Sequence, residues 1–239
     1  EGMKNIILDE HQSVGQGEVA TLRVYLSSEA NKRAVVVKED DILTKAEMQA
    51  NAKEVSTATL TELKTWLVNK CFEIIELWKA RNTMTSRYVC KWKWIKDANG
   101  KMVKIIRMRL VLRGFMDTEA FSLDTFAGTA KRVSQRILAS EAACNKDYIL
   151  ASLDIDKAFL KGFTYKELAE ATGEQERMVC FRLPPGSAEI IRAIPGFEHF
   201  DEAIHCLRCI KPGTGTKDAP RAFSLKLRRT TKNIGLRPT

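Results

Sequence analysis

Histidine is scarce in this 239-residue sequence, which holds only His11, His199 and His205. No Ser-His-Asp or Cys-His arrangement can be argued from three such isolated rings, so nothing points to the usual nucleophilic hydrolase designs. Long apolar runs are absent too: nothing reaches the roughly eighteen residues that cross a bilayer, and no membrane partner is expected. No secretory signal opens the chain, and six cysteines (Cys71, Cys90, Cys144, Cys180, Cys206, Cys209) are scattered along it. That usage excludes a disulfide scaffold and predicts a reducing intracellular compartment, cytoplasmic or nuclear. A phosphate loop is missing, because Gly213-Thr214-Gly215-Thr216-Lys217 lacks both the four-residue gap between glycines and the Ser/Thr after lysine. Zinc is also unsupported. His199, His205, Cys206 and Cys209 crowd together, whereas structural zinc sites separate two ligand pairs by about a dozen residues or more. Neither an internal repeat nor a low-complexity tract occurs.

What the chain does have is positive charge in two places. Its formal net charge is +9 and its hydrophobic content of 44% is ample for a core. Residues 85–113 carry nine Lys/Arg against Asp97 alone, and residues 217–237 carry seven against Asp218. The rest of the chain is net acidic. Charge gathered in this way suits a polyanionic partner rather than solubility alone. A start at Glu1 and a stop at Thr239 inside a basic stretch suggest a piece of a longer reading frame.

Residues 1–43 mix strand-like runs such as Thr21-Leu22-Arg23-Val24-Tyr25-Leu26 with polar connections and read as a lead-in without chemistry. Residues 44–239 carry the organised part. Thr44-Lys45-Ala46-Glu47 has capping-box spacing, so a helix is predicted from there to about Cys71, with Leu60, Leu63, Leu67 and Trp66 on a buried stripe. Asn99-Gly100 predicts a hairpin between strands at 87–96 and 101–112. Alternation places Tyr88, Cys90, Trp92 and Trp94 on one face of the first strand, and Arg107, Arg109 and Arg113 on one face of the second. A helix is expected over 129–145 with Val133, Ile137 and Leu138 inward, then a strand at 149–153. Another helix should stop at Gly173, and a strand at 178–183 should end at Pro184-Pro185-Gly186. A strand over 205–210 and a helix over 219–232, with Pro220 in its first turn, complete the reading.

The residues best placed for chemistry follow the 149–153 strand. Asp154 is set where a rigid strand would present a carboxylate to a cleft, and the Ile155 carbonyl can add an oxygen ligand. Nucleotidyl transfer commonly uses two divalent ions about 3.5–4 Å apart, held by such carboxylates. The alternative is that Asp154 caps the helix after it. Phe159 stands five positions on, where it either faces the same cleft or fills a core.

These residues belong to a run, Ala151-Ser152-Leu153-Asp154-Ile155-Asp156-Lys157-Ala158-Phe159-Leu160-Lys161-Gly162, that resembles the first catalytic motif of copia-type retrotransposon reverse transcriptases. Further blocks are similar in the same order: Lys91-Trp92 through Gly100, Arg107 through Phe115, Asp124 through Thr129, and Gly213 through Phe223. The last of these, with Lys217-Asp218-Ala219-Pro220-Arg221-Ala222-Phe223, is the most specific. The resemblance implies an α/β (α+β) fold: reverse-transcriptase-like fingers and an incomplete palm of a right-hand polymerase. It implies an RNA-directed DNA polymerase acting on an RNA template, a DNA primer and deoxynucleoside triphosphates with Mg²⁺ or Mn²⁺. Asp154 would anchor the metal with Ile155, and Phe159 would exclude a ribose 2′-hydroxyl. Arg107 and Arg109 would hold the triphosphate, and Lys217 and Arg221 would border the nucleotide or template. Asp218 and Thr216 depart from the family's Gln and Leu, and the link from Gly162 to Pro184 is longer than usual.

The family's Tyr-x-Asp-Asp hairpin does not occur, and no Asp-Asp pair follows Asp154. A chain with one such carboxylate is expected not to polymerise by itself. A catalytically inactive nucleic-acid-binding remnant and a decayed open reading frame are the rival readings. A solvated basic strand face is the rival reading of the arginines.

Overall fold

The computed structural model describes residues 41–148 and 154–235. The strand expected at 149–153 and nearly all of the lead-in fall outside those residues. Thr44 caps α1 (Lys45–Ala50), accepting from the Glu47 amide while the Glu47 carboxylate accepts from the Thr44 amide at 2.7 Å. The helical stretch does not run unbroken to Cys71. It is interrupted at Asn51, whose side chain bonds back to the Glu47 carbonyl at 2.8 Å, and resumes as α2 (Ala52–Val68). Along α2, Leu63 and Trp66 are fully buried, with Leu60 and Leu67 packed at the edge of the same cluster.

A five-stranded sheet forms the centre, in the order β1 (Phe72–Glu76), β5 (His205–Cys209), β4 (Cys180–Arg182), β2 (Thr83–Lys96), β3 (Met102–Leu112). Every pairing is antiparallel except β2 with β4. Phe181 of β4 is opposite Leu207 of β5, and both are fully buried beside Phe72 and Trp66. These rings meet tilted or edge-on, the geometry their quadrupoles favour. Burying a side chain of this size contributes about 1.5–3 kcal/mol, which makes the cluster the main anchor between α2 and the sheet.

Strands β2 and β3 extend beyond the sheet as a two-stranded arm, with Lys96 opposite Met102. Its turn is wider than the dipeptide alone suggests. The Asp97 side chain accepts from the Asn99 and Lys101 amides, each at 2.9 Å, and Gly100 alone of these residues takes a positive φ of 77°. The inner part of the arm packs Cys90 and Met108 against α1 and α2. The outer part is solvated: Trp94 is exposed, and the Lys104 ammonium sits 4.5 Å from the centroid of Trp92.

Helix α3 (Arg132–Cys144) forms, but its apolar residues do not point inward. Val133, Ile137 and Leu138 are 64%, 61% and 52% exposed, so this part of the sequence reading is corrected. Apolar spacing shows that a helix has an apolar side; it does not supply a surface to cover that side. Helix α4 (Tyr165–Thr172) starts at a second capping box, Thr164 with Glu167, and stops at left-handed Gly173. A short α5 (Ala188–Arg192), absent from the sequence reading, follows the Pro184-Pro185-Gly186 turn, and α6 (Ala219–Asn233) has Pro220 in its first turn.

Candidate functional site

Three of the residues singled out in the sequence meet in one cavity of about 220 Å³. Arg107 and Arg109 enter from β3, and Phe159 enters from a 3-10 turn at Ala158–Lys161. Thr214, from the loop before α6, and Glu62, from α2, close other sides. Alternation explains how the arginines reach it: Met108 and Leu110 face the core, so Arg107 and Arg109 face the other way. Phe159 is 38% exposed while its neighbour Leu160 is 3% exposed. Its ring therefore lines the cavity and does not fill a core.

The Thr214 wall is built by glycine. Gly213 lies against the ring of Trp66, where a Cβ would collide with the indole. Gly215 has φ 101° and lies against the Leu112 carbonyl, while the Leu112 amide donates to the Thr214 carbonyl at 2.8 Å. The loop is thus pressed onto the end of the strand that carries both arginines.

Two cavity residues escaped the sequence reading. Glu62 is 8% exposed and accepts from the Trp66 indole at 3.0 Å and from the Leu110 amide at 3.2 Å. Lys157 takes a left-handed backbone (φ 54°, ψ 41°), donates to the Thr65 hydroxyl at 2.9 Å and lies 4.0 Å from Glu62. The signal for Glu62 was a carboxylate four residues before Trp66 on a buried stripe. Lys157 gave none, because only the fold turns it toward the arginines.

Other predicted residues lie apart from this cavity. Asp154 and Ile155 are exposed and do not line it, and Asp154 caps no helix, since the N-cap of the 3-10 turn is Lys157. Among the described residues no group of three or more His, Cys, Asp or Glu gathers to hold a metal. Among the described residues, then, Asp154 is not part of such a group. Lys217 lies over the Phe121 ring at 5.4 Å. Arg221 is engaged by Asp124 at 3.1 Å and Glu174 at 3.0 Å, which leaves it little capacity for nucleotide or template. Cys206 and Cys209 sit three apart on β5, which turns them to opposite faces; Cys209 joins the core.

Asp218 is buried in an ion cluster. Arg177 pairs with it, with Asp117 at 2.6 Å and with Glu119 at 2.7 Å. Burial acts to raise the Asp117 carboxyl, but the Asn82 hydrogen bond and the Arg177 guanidinium outweigh it and hold the group below its ordinary range. This cluster joins the segment after β3, the approach to β4 and the start of α6.

The chain is 27% identical over 132 residues to the Retrovirus-related Pol polyprotein from transposon TNT 1-94 of Nicotiana tabacum. The match covers 55% of this chain and 10% of that polyprotein. This likeness supports a retrotransposon origin. No protein-family model matches the chain, and no solved structure matches it.

Proposed function

We propose that the chain is the fingers and part of the palm of a copia-type reverse transcriptase, an RNA-directed DNA polymerase in its complete form. The cavity would receive the triphosphate of an incoming deoxynucleotide. The observation that supports this most is convergence. Arg107 and Arg109 belong to one motif and Phe159 to another, about fifty residues away in the chain, and the fold brings them into one small cationic space. At about 220 Å³ it is below the ~300–1,000 Å³ of pockets for drug-sized ligands, and suits a phosphate chain with the nucleoside outside. Planar guanidinium groups pair with phosphate oxygens through two parallel bonds. Phe159 at the rim would then meet the sugar.

Calorimetric titration with a deoxynucleoside triphosphate tests the reading. Removing one charge-assisted contact costs about 1.5–3 kcal/mol, so Arg107→Ala and Arg109→Ala should each weaken binding about ten- to a hundredfold. Unchanged affinity in both variants would reject the cavity.

In the complete enzyme Asp154, with the Ile155 carbonyl, would hold Mg²⁺ arriving with the nucleotide. Magnesium often uses only one or two protein carboxylates beside substrate phosphates. The absence of a carboxylate cluster among the described residues favours a second reading, a nucleic-acid-binding remnant that no longer polymerises. Primer extension on an RNA template by this chain should give no product under either reading. The two separate on nucleotide binding: the remnant would bind RNA–DNA hybrid without a triphosphate site sensitive to Arg107 and Arg109.

A further inference from the structure

We propose that Lys157 is a charge latch: Glu62 and Thr65 hold its ammonium while the cavity is empty, and a linear chain of three phosphates draws it away where shorter anions do not. This inference rests on the reading of the cavity as a phosphate site and specifies what must enter it.

The first ground is backbone conformation. Among the described residues only Lys70, Asn82 and Lys157 combine a side chain with a positive φ. Such a backbone is disfavoured for lysine, whose Cβ crowds the following carbonyl, and residues held that way collect at functional sites. Of the three, Lys157 is the one that lines the cavity.

The second ground is the charge balance. Three cations and one carboxylate face the same space. Arg107 and Arg109 stand two residues apart on a strand, roughly 6.6 Å at about 3.3 Å per residue, which matches a short phosphate chain. A single phosphate or pyrophosphate is satisfied by these two groups, and the buried carboxylate of Glu62 opposes further negative charge. A third phosphate brings charge enough to compete with Glu62 for the ammonium.

The third ground is that Glu62 keeps both of its hydrogen bonds when the latch opens, and only its other oxygen, Oε2, loses the ammonium. Glu62 Oε1 keeps the Trp66 indole and the Leu110 amide, neither of which depends on Lys157. Opening gives up only the Thr65 hydrogen bond and a 4.0 Å ion pair.

The test is titration of the full chain with inorganic phosphate, pyrophosphate and tripolyphosphate at one ionic strength. Lys157→Asn keeps a residue that tolerates the left-handed backbone and removes the charge. It should lower tripolyphosphate affinity about tenfold and leave pyrophosphate within about twofold, as expected for one lost charge-assisted contact. Glu62→Gln, whose amide oxygen still accepts from Trp66 and Leu110, should raise pyrophosphate affinity several-fold and narrow the difference between the two anions. Thermal melts of both variants confirm that they fold. Equal losses for the two anions in Lys157→Asn, or no loss, would overturn the latch while Arg109→Ala still weakened the binding of both. Tripolyphosphate affinity left unchanged by Arg109→Ala would overturn the site itself.

Discussion

Arg177 is the residue on which most buried charge depends. It satisfies Asp117 and Asp218, both almost wholly buried, and also reaches Glu119. Replacing a buried ion cluster as a whole can be neutral, but removing one partner strands the others and costs about 3–5 kcal/mol. Arg177→Met should therefore lower stability by about that amount in urea denaturation, and adding Asp117→Asn and Asp218→Asn should recover part of it. The cluster also sets an acid limit. The folded Asp117 carboxyl is held below its ordinary value of 3.8, so its contribution is present above that value and is lost as pH falls through the depressed one. Denaturation followed from neutral pH into the acid range should show a shallower loss in Asp117→Asn than in the parent. Gly215 is a second sensitive point: its positive φ and its contact with the Leu112 carbonyl exclude a Cβ. Gly215→Ala should destabilise by about 1–3 kcal/mol or more and disturb the Thr214 wall, read as a lower melting temperature with weaker triphosphate binding.

Among the elements, the arm of β2 and β3 shows best how local sequence becomes geometry. Its strands and the separation of its buried and basic faces follow from alternation, while its turn needs the Asp97 side chain as well as the Asn-Gly. What alternation did not show was how the arm meets the cavity, because that depends on α2 and the Thr214 loop against the base of β3. Helix α3 marks the opposite case. Its spacing predicts a buried stripe, yet Val133, Ile137 and Leu138 remain exposed. Ile137→Ser should accordingly change unfolding free energy by no more than about 0.5 kcal/mol, the range of ordinary surface substitutions. A loss of about 2 kcal/mol or more would show that the side chain is buried after all.

For the whole molecule, the charge of the arm and of α6 is the property most open to measurement. Binding to RNA–DNA hybrid should weaken with salt, each neutralised phosphate adding about −0.9 to the log–log slope on duplex or about −0.7 on single strands. Reversing Lys93 and Lys104 to Glu should flatten that slope, measured by fluorescence anisotropy across a salt series. Arg221→Ala should leave it nearly unchanged, because Arg221 is already neutralised by Asp124 and Glu174. That last expectation departs from the role the resemblance implied for Arg221, because a basic residue beside a motif gives no sign of the carboxylates that will reach it.

By itself the sequence determined the periodic features: capping boxes at Thr44 and Thr164, the hairpin at Gly100, the helix from Ala219, and which face of β3 carries arginine. Each depends on residues close in the chain, where φ and ψ preferences and side-chain alternation act directly. Only the tertiary structure decided that Arg107, Arg109, Phe159, Glu62 and Lys157 share one cavity, that Arg177 binds two buried aspartates, and that α3 presents its apolar side to solvent. Those outcomes depend on packing between segments far apart in sequence, for which no local spacing rule exists.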